Sequence, residues 1–154
     1  TMQQHTEFLG RRIAWTHRVV QAELDARMRE RGGDFTTWKV LVHLVGGALP
    51  SQRELADGMR IDPATVVRHI DRLESEGLVT RERDARDRRI IRVALTPDGR
   101  RLHDRLNREA VRLDAELVDV LSPHGYQHLG HLLARVTDHF APRTEETTDD
   151  ERVG

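Results

Sequence analysis

Residues 51–96, SQRELADGMRIDPATVVRHIDRLESEGLVTRERDARDRRIIRVALT, decide the fold of this chain. Ser51 and Glu54 match a capping box, in which a hydroxyl and a carboxylate satisfy each other's free amides at a helix start. Asp62 before Pro63 marks a second helix start, because the missing N–H of proline costs nothing at the first helical position. Two short helices separated by a tight turn are therefore predicted, which is the pattern of a helix-turn-helix.

The second of these helices is expected to bury Val66 or Val67 together with Ile70 and Leu73 and to stop at Gly77. In a helix-turn-helix this helix enters the major groove of DNA. With Val67 inward, the outward residues are Ala64, Thr65, Arg68, His69 and Arg72. Small residues followed by basic ones suit close approach to base edges and then to phosphate. An ordinary solvated helix face is the alternative interpretation.

The residue pattern changes after this helix. Two β-prone runs, 78–83 and 90–95, flank the polar stretch 84–89, and this arrangement predicts a β-hairpin with a charged tip. The tip holds three arginines and two aspartates in six residues. A wing that inserts an arginine into the minor groove, oriented by a neighbouring aspartate, explains both signs of charge. A salt-bridged surface loop without a ligand is the alternative.

Helical periodicity continues on both sides of this segment. Apolar residues repeat at helical spacing up to Gly32-Gly33, which closes a long first helix, and Thr36 is predicted to cap a second. The second helix carries Trp38, Leu41, Val42 and Val45. After the hairpin, Thr96-Pro97 begins a long helix and Ser122-Pro123 begins the last one. The predicted fold class is mainly α with a small β-hairpin wing, a winged helix-turn-helix.

Composition narrows the function classes. The 154 residues are 37% hydrophobic and 33% charged, which suits a soluble protein that completes its core across a subunit interface. There is no cysteine, so disulfides, cysteine-ligated zinc and cysteine nucleophiles are excluded. No apolar run approaches the roughly 18 residues of a membrane span and no signal peptide is found, so a cytoplasmic protein without a membrane partner is expected.

The net charge of −1 hides an uneven distribution. Residues 60–105 contain twelve arginines against nine acids, whereas residues 141–154 contain two arginines against five acids. The basic segment coincides with the predicted helix-turn-helix and wing, where phosphate binding would use it. The acidic tail, 142–154, is predicted to be disordered.

The wing segment resembles a known family. Residues 83–89 followed by 93–99 look like the wing signature of the MarR family of bacterial regulators, and residues 52–56 and 73–79 match the rest of that winged-helix core. The resemblance covers residues 8–140, and its wing motif is far more specific than a helix-turn-helix alone. It implies a homodimer whose first, fifth and sixth helices pack together, with two wings gripping a pseudo-palindromic site in double-stranded DNA.

The resemblance also implies residue roles. By position, Arg89 is the minor-groove arginine, Asp87 orients it, and Arg86 and Arg88 contact backbone phosphates. The implied DNA-contacting residues at the start of the helix-turn-helix are Ser51 and Gln52. Residues 1–31 and 97–141 are expected to form the dimerisation helices and residues 34–96 the DNA-binding domain. Repression is the commoner mode of such regulators, and a repressor is expected on that analogy.

Regulators of this type usually release DNA when a small aromatic or anionic effector binds between the dimer arm and the winged domain. The residues predicted to line such a cavity are Trp15, Arg18, Phe35 and Trp38. Tryptophans near helix junctions are more often part of the core, and that interpretation stays open. No cofactor is expected beyond such an effector.

Two further interpretations concern the rest of the chain. His124, His128 and His131 share one helix face and suit zinc or nickel, but surface histidines are commoner, pH sensing is also open, and no metal site is predicted. An enzyme is not expected, because the chain has no G-x-S-x-G elbow, phosphate-binding glycine-lysine loop or Rossmann glycine run. A winged helix that binds protein instead of DNA remains the rival class.

Overall fold

The structure, a computed structural model, describes residues 8–47 and 49–141. Its elements are α1 (Leu9–Arg29), α2 (Phe35–Leu44), α3 (Gln52–Met59), α4 (Pro63–Ser75), β1 (Val79–Arg83), β2 (Ile91–Leu95) and α5 (Pro97–Phe140). The described part is mainly helical with one antiparallel hairpin, which confirms the predicted fold class. None of its helices is both long and apolar enough to cross a bilayer. The predicted acidic tail lies outside the described residues.

The start of α2 differs from the prediction. The predicted cap at Thr36 is wrong, because Asp34 is the N-cap and its carboxylate accepts a hydrogen bond from the Thr37 amide at 2.6 Å. Asp34 has the extended backbone that an N-cap requires, with φ −144° and ψ 171°. The buried face of α2 is also shifted, since Val40 is buried whereas the predicted Val42 is 38% exposed.

The helix-turn-helix forms as the local signals predict. The Ser51 hydroxyl accepts from the Glu54 amide at 3.1 Å and a Glu54 carboxylate oxygen accepts from the Ser51 amide at 2.6 Å, which confirms the capping box. The turn after α3 passes through Arg60 in the left-handed region, with φ 54°. Asp62 then caps α4 through the Thr65 amide at 2.9 Å, with Pro63 at the first position.

Of the two valines left open for the core of α4, the structure buries Val66, at 1% exposure, and leaves Val67 half-buried. Ile70 and Leu73 are fully buried as predicted. The outward face keeps its predicted members in spite of this shift, because a helix stripe is broad enough to include several positions. Ala64, Arg68 and Arg72 are exposed, and Thr65 and His69 are half-buried.

The hairpin pairs Val79 with Leu95 at its base and Arg83 with Ile91 near its tip. Its second strand is also joined to the segment before α3, since the Val93 amide donates to the Pro50 carbonyl at 3.0 Å. Buried Val79 and Val93 anchor the base of the hairpin in the core. The base is therefore fixed, and the tip projects from it.

Thr96 caps the start of α5, because its hydroxyl accepts a hydrogen bond from the Gly99 amide at 3.0 Å. Helical geometry is interrupted at Ser122, with φ 62° and ψ 158°, immediately before Pro123. A break is thus confirmed where the sequence predicts a new helix. The chain separates into two compact units, Thr1–Leu113 and Asp114–Gly154, and the first contains the hairpin and the helix-turn-helix. The predicted division into dimerisation and DNA-binding parts remains a prediction.

Candidate nucleic-acid interface

The first turns of α4 carry a chain of polar contacts. The Asp62 carboxylate accepts from both the amide and the hydroxyl of Thr65. The Thr65 hydroxyl in turn accepts from an Arg68 guanidinium nitrogen at 2.9 Å. Arg68 is thereby held along the exposed face near the start of the helix, where its remaining N–H groups stay available for a phosphate or a base.

Arg72, one helical turn further, is anchored to α2. Its guanidinium donates to the Thr37 hydroxyl at 2.8 Å and to the Asp34 carboxylate at 3.3 Å. The Arg72 side chain is 44% exposed, so part of its fork still faces solvent. The contacts give Arg72 a structural role, because they join α4 to the start of α2. Its predicted contact with DNA stays a prediction.

His69 lies between these two arginines on the same face. Partial burial lowers the pKa of its imidazole from 6.5, and the positive charge of Arg72 lowers it further. Both effects disfavour the protonated ring. His69 is therefore neutral at pH 7 and offers one donor and one acceptor to a base edge, not a positive charge to a phosphate.

Two aspartates fold the wing tip through backbone amides. One Asp84 carboxylate oxygen accepts from the Arg86 amide at 2.8 Å and from the Asp87 amide at 3.0 Å. The Asp87 carboxylate accepts from the Arg89 amide at 3.0 Å. Such side-chain acceptors replace backbone partners in tight turns and fix the loop conformation. The wing tip is thus a structured turn.

The three arginines of this tip have free side chains. Arg86, Arg88 and Arg89, called here the free wing arginines, are exposed. Within residues 8–47 and 49–141, none of their guanidinium groups makes an ion pair or a hydrogen bond. Asp87 holds the backbone of Arg89 and not its guanidinium, and its predicted role in orienting that side chain stays a prediction. The three arginines of the tip are therefore not paired with its two aspartates.

Arg92 was not identified from the sequence, and its side chain joins the wing to the segment around the start of α3. Its guanidinium donates to the second Asp84 oxygen at 2.9 Å, to Glu54 at 2.9 Å and to the Leu49 carbonyl at 3.2 Å. The hydrogen bond from Arg92, followed by those from the loop amides, lowers the pKa of Asp84 to about 2. A single arginine within the otherwise apolar run 90–95 was the available signal.

A second arginine supports the base of the hairpin. Arg81 donates to Glu74 at 2.6 Å, approaches Asp71 at 2.7 Å and reaches the Gln52 carboxamide oxygen at 3.3 Å. The hydrogen bond from Arg81 lowers the pKa of Glu74. Gln52, a predicted DNA contact, therefore has its amide oxygen engaged and its NH₂ group available. Ser51, the other predicted contact of this segment, uses its hydroxyl as a helix cap.

The predicted effector residues form two separate pairs. The Arg18 guanidinium lies 5.3 Å from the centroid of the Trp15 ring, and the Phe35 and Trp38 rings are 5.7 Å apart. A cleft of about 330 Å³ is lined by Arg11, Ala14, Trp15 and Arg18, and neither Phe35 nor Trp38 lines it. The buried Trp38 indole N–H has no hydrogen-bond partner in the described part of the chain. The four residues therefore do not share one cavity in this structure.

The histidine face of α5 forms one stacked pair. The rings of His124 and His128 are nearly parallel, with centroids 6.2 Å apart. Among the described residues, no group of three or more histidine, aspartate, glutamate or cysteine side chains is placed to hold a metal ion. His131 completes the predicted spacing without joining such a group.

Comparisons with known proteins agree with this architecture. The model of the MarR family matches residues 37–91. An uncharacterized HTH-type transcriptional regulator of Bacillus subtilis, YdgJ, is 36% identical over 90 residues, which are 58% of this chain and 55% of that protein. The chain thus spans about half the length of the curated relative that it matches.

Solved structures extend the likeness over most of the chain. A mutant MarR from E. coli complexed with operator DNA has a TM-score of 0.77 at 26% identity, covering 83% of this chain and 92% of that one. The transcriptional repressor CouR bound to a 23-mer DNA duplex has a TM-score of 0.81 at 25% identity, covering 89% and 97%. PcaV from Streptomyces coelicolor, in complex with its natural ligand, has a TM-score of 0.68 at 25% identity, covering 88% and 93%.

The fold and the wing together define a winged helix-turn-helix protein. Residues 37–91 match the MarR family, and the structure of MarR is similar over 83% of the chain.

Proposed function

We propose that this chain is a sequence-specific transcription regulator that binds double-stranded DNA as a homodimer on a pseudo-palindromic operator. The observation that carries the proposal is the set of free wing arginines, exposed on a turn whose backbone is fixed by two aspartates. Arginine side chains bind phosphate and enter narrow minor grooves with a planar fork of donors. Three unpaired cations on one short turn are stabilised by a polyanion.

The exposed face of α4 supplies the complementary base-reading surface. Ala64 leaves room for close approach, Thr65 and His69 present neutral donors and acceptors, and Arg68 extends beyond them. Phosphate contacts position a protein on DNA, whereas contacts to base edges in the major groove distinguish sequences. We infer that the wing and Arg68 supply affinity and that the other exposed residues of α4 supply specificity. Ser51 and Gln52 then contact the phosphates beside α3.

Exposed apolar side chains support the homodimer. In the first unit, α1 leaves Leu9 66% exposed and Val19 49% exposed. In the second unit, Leu129, Leu133 and Phe140 are exposed on the last helical segment. Large apolar side chains gathered on helices of a single chain are typical of surfaces that a partner covers. A second copy of the chain, paired through these helices, gives two wings related by a twofold axis and therefore a pseudo-palindromic site.

We also propose that the protein represses transcription and that a small effector controls it. The analogy comes from CouR, which is a transcriptional repressor, and from PcaV, whose structure contains its natural ligand. The cleft beside Trp15 combines an aromatic ring with the Arg11 and Arg18 side chains. Such a cleft suits an aromatic or anionic molecule. Quenching of tryptophan fluorescence by aromatic acids, lost in Trp15→Phe, tests this part.

DNA binding is tested by fluorescence anisotropy with duplex from upstream of the protein's own gene, titrated at several salt concentrations against a scrambled duplex. Nanomolar, salt-dependent and sequence-preferring binding is expected. Arg89→Ala should weaken binding about 5-fold to 150-fold for each wing that contacts DNA, the range of roughly 1–3 kcal/mol for a groove contact. Arg100→Ala is the matched control, because Arg100 is exposed at the start of α5, away from the hairpin tip.

Equal losses in Arg89→Ala and Arg100→Ala would remove the wing from the interface. Weak binding of both duplexes that does not change with salt would point to the rival class, a winged helix that binds protein. Analytical ultracentrifugation of the same samples tests the dimer, and a promoter-reporter assay separates repression from activation.

A further inference from the structure

We propose that Arg92 is a positioning residue that fastens the wing to the start of α3, so that the wing and α4 meet DNA at a fixed separation. The inference about DNA rests on the proposed function. The fastening itself is a property of the free protein and is tested separately.

The Arg92 guanidinium donates hydrogen bonds to three acceptors, and this set of contacts is called here the clasp. One guanidinium nitrogen donates to the Asp84 carboxylate in the wing, at 2.9 Å. Another donates to Glu54 in the first turn of α3 at 2.9 Å and to the Leu49 carbonyl before that helix at 3.2 Å. Only a planar group with several fixed donors joins three such acceptors at once, and the compact ammonium of lysine does not reproduce it.

The tip depends on this clasp because little else holds it. An isolated two-stranded hairpin is only marginally stable in water. Within the described residues, the hydrogen bonds of 83–91 stay inside the hairpin, as from Asp84 to the Ile90 carbonyl and from Arg83 to the Arg88 carbonyl. The hairpin is held against the segment before α3 at Arg92, by the hydrogen bond from its side chain to Glu54 and by its backbone bridge to Ser51. Release of the side chain therefore lets the free wing arginines move relative to α4.

Asp84 accepts hydrogen bonds from the loop amides and from Arg92, and one substitution can remove the second contact while keeping the first. One of its oxygens accepts from two loop amides, and the other accepts from Arg92. Asp84→Asn keeps an oxygen for the loop amides, and its NH₂ group replaces the acceptor that Arg92 uses. The substitution also removes a negative charge beside the proposed phosphate contacts. Charge alone predicts tighter DNA binding, whereas loss of the clasp predicts weaker binding.

The motion of the wing is measured first, without DNA. The chain contains no cysteine, so Ala85→Cys places a single nitroxide label at the tip. We expect a slowly moving label in the parent protein and a clearly faster one in Arg92→Leu and in Asp84→Asn. Arg100→Leu, with an exposed arginine on α5, is the matched control and should not change the spectrum. Identical label mobility in the parent and both clasp variants would overturn the proposal.

DNA affinity is then measured on the duplex that the parent protein binds. Asp84→Asn and Arg92→Leu should each weaken binding roughly tenfold, and the double variant should be no weaker than Arg92→Leu alone. Arg92→Lys, which keeps the charge, should lie between the parent and Arg92→Leu. Tighter or unchanged binding by Asp84→Asn would refute the positioning role. Thermal melting of each variant confirms that it is folded.

Different results would contradict the proposed DNA binding and the proposed role of Arg92. If the parent protein binds no DNA, the proposed function fails, while the label still decides whether Arg92 fastens the wing. If the parent binds DNA and the clasp variants match it in mobility and affinity, the proposed function stands and the clasp is wrong.

Discussion

Gly99→Ala tests the closest packing contact of the hairpin base. A Cβ atom added at Gly99 would lie 2.0 Å from the Leu78 carbonyl oxygen and 2.9 Å from a methyl group of Leu95. The carbonyl would have to move by more than about 1 Å to restore an ordinary van der Waals separation. The same carbonyl accepts from the Thr96 amide at 3.1 Å, and the Thr96 hydroxyl caps α5. The clash therefore strains the junction of hairpin and helix.

The magnitude follows from two opposed effects. Overpacking of a well-packed site costs typically about 1–3 kcal/mol and sometimes more. Replacing glycine by alanine inside a helix recovers about 1 kcal/mol. Because the overlap at Gly99 is with backbone, which yields less easily than a side-chain end, we expect a net loss of about 2 kcal/mol in the free energy of unfolding. For a chain of this size, that loss lowers the melting temperature by roughly 4–8 °C.

The assay is thermal unfolding followed by circular dichroism at one fixed protein concentration, because the proposed dimerisation would make the melting temperature depend on concentration. Gly46→Ala, outside the surface proposed for the dimer, is the control, since an added Cβ there meets nothing within 4 Å. It should leave stability unchanged or raise it by up to about 1 kcal/mol. A melting temperature for Gly99→Ala within about 1 °C of the parent would refute the packing argument.

Three further predictions concern the interface and the core. Replacing all free wing arginines by alanine should reduce the slope of log K against log salt by about 3–4, since the proposed dimer loses the four phosphate contacts of Arg86 and Arg88; an unchanged slope in the anisotropy titration would place the contacts elsewhere. Because Arg92 holds the pKa of Asp84 near 2, below its usual 3.8, the stability from this carboxylate is present above pH 3.8 and is lost as the pH falls toward 2. Acid unfolding of Asp84→Asn should accordingly show a smaller loss than the parent over that interval, and equal losses would contradict the pKa. Ile70→Ala, at a fully buried position, should cost about 2–5 kcal/mol in urea unfolding, and a loss below about 1 kcal/mol would mean that α4 is not packed as described.

The local elements of this fold could be predicted because the residues that start or end them interact with partners a few positions away. The capping box at Ser51, the Asp62-Pro63 start of α4 and the break at Ser122 each involve partners within four positions. The cap of α2 was misplaced because two candidate residues lie two positions apart. Asp34 is intrinsically the stronger N-cap of the two, and its carboxylate is also held by Arg72.

The sequence by itself determined the order of elements, the charged hairpin and the resemblance to the MarR family, since capping, turn formation and hydrophobic period are local properties. Only the tertiary structure decided which arginines are engaged and which are free. Arg92 is joined to Glu54 across 38 positions, and Arg72 to Thr37 across 35, whereas the free wing arginines make no such contacts within the described residues. Residues 60–105 contain twelve arginines and nine acids, and their order along the chain does not determine which arginine pairs with which acid. The pairing is set by packing, because an ion pair forms only where the folded backbone brings both partners within a few ångströms.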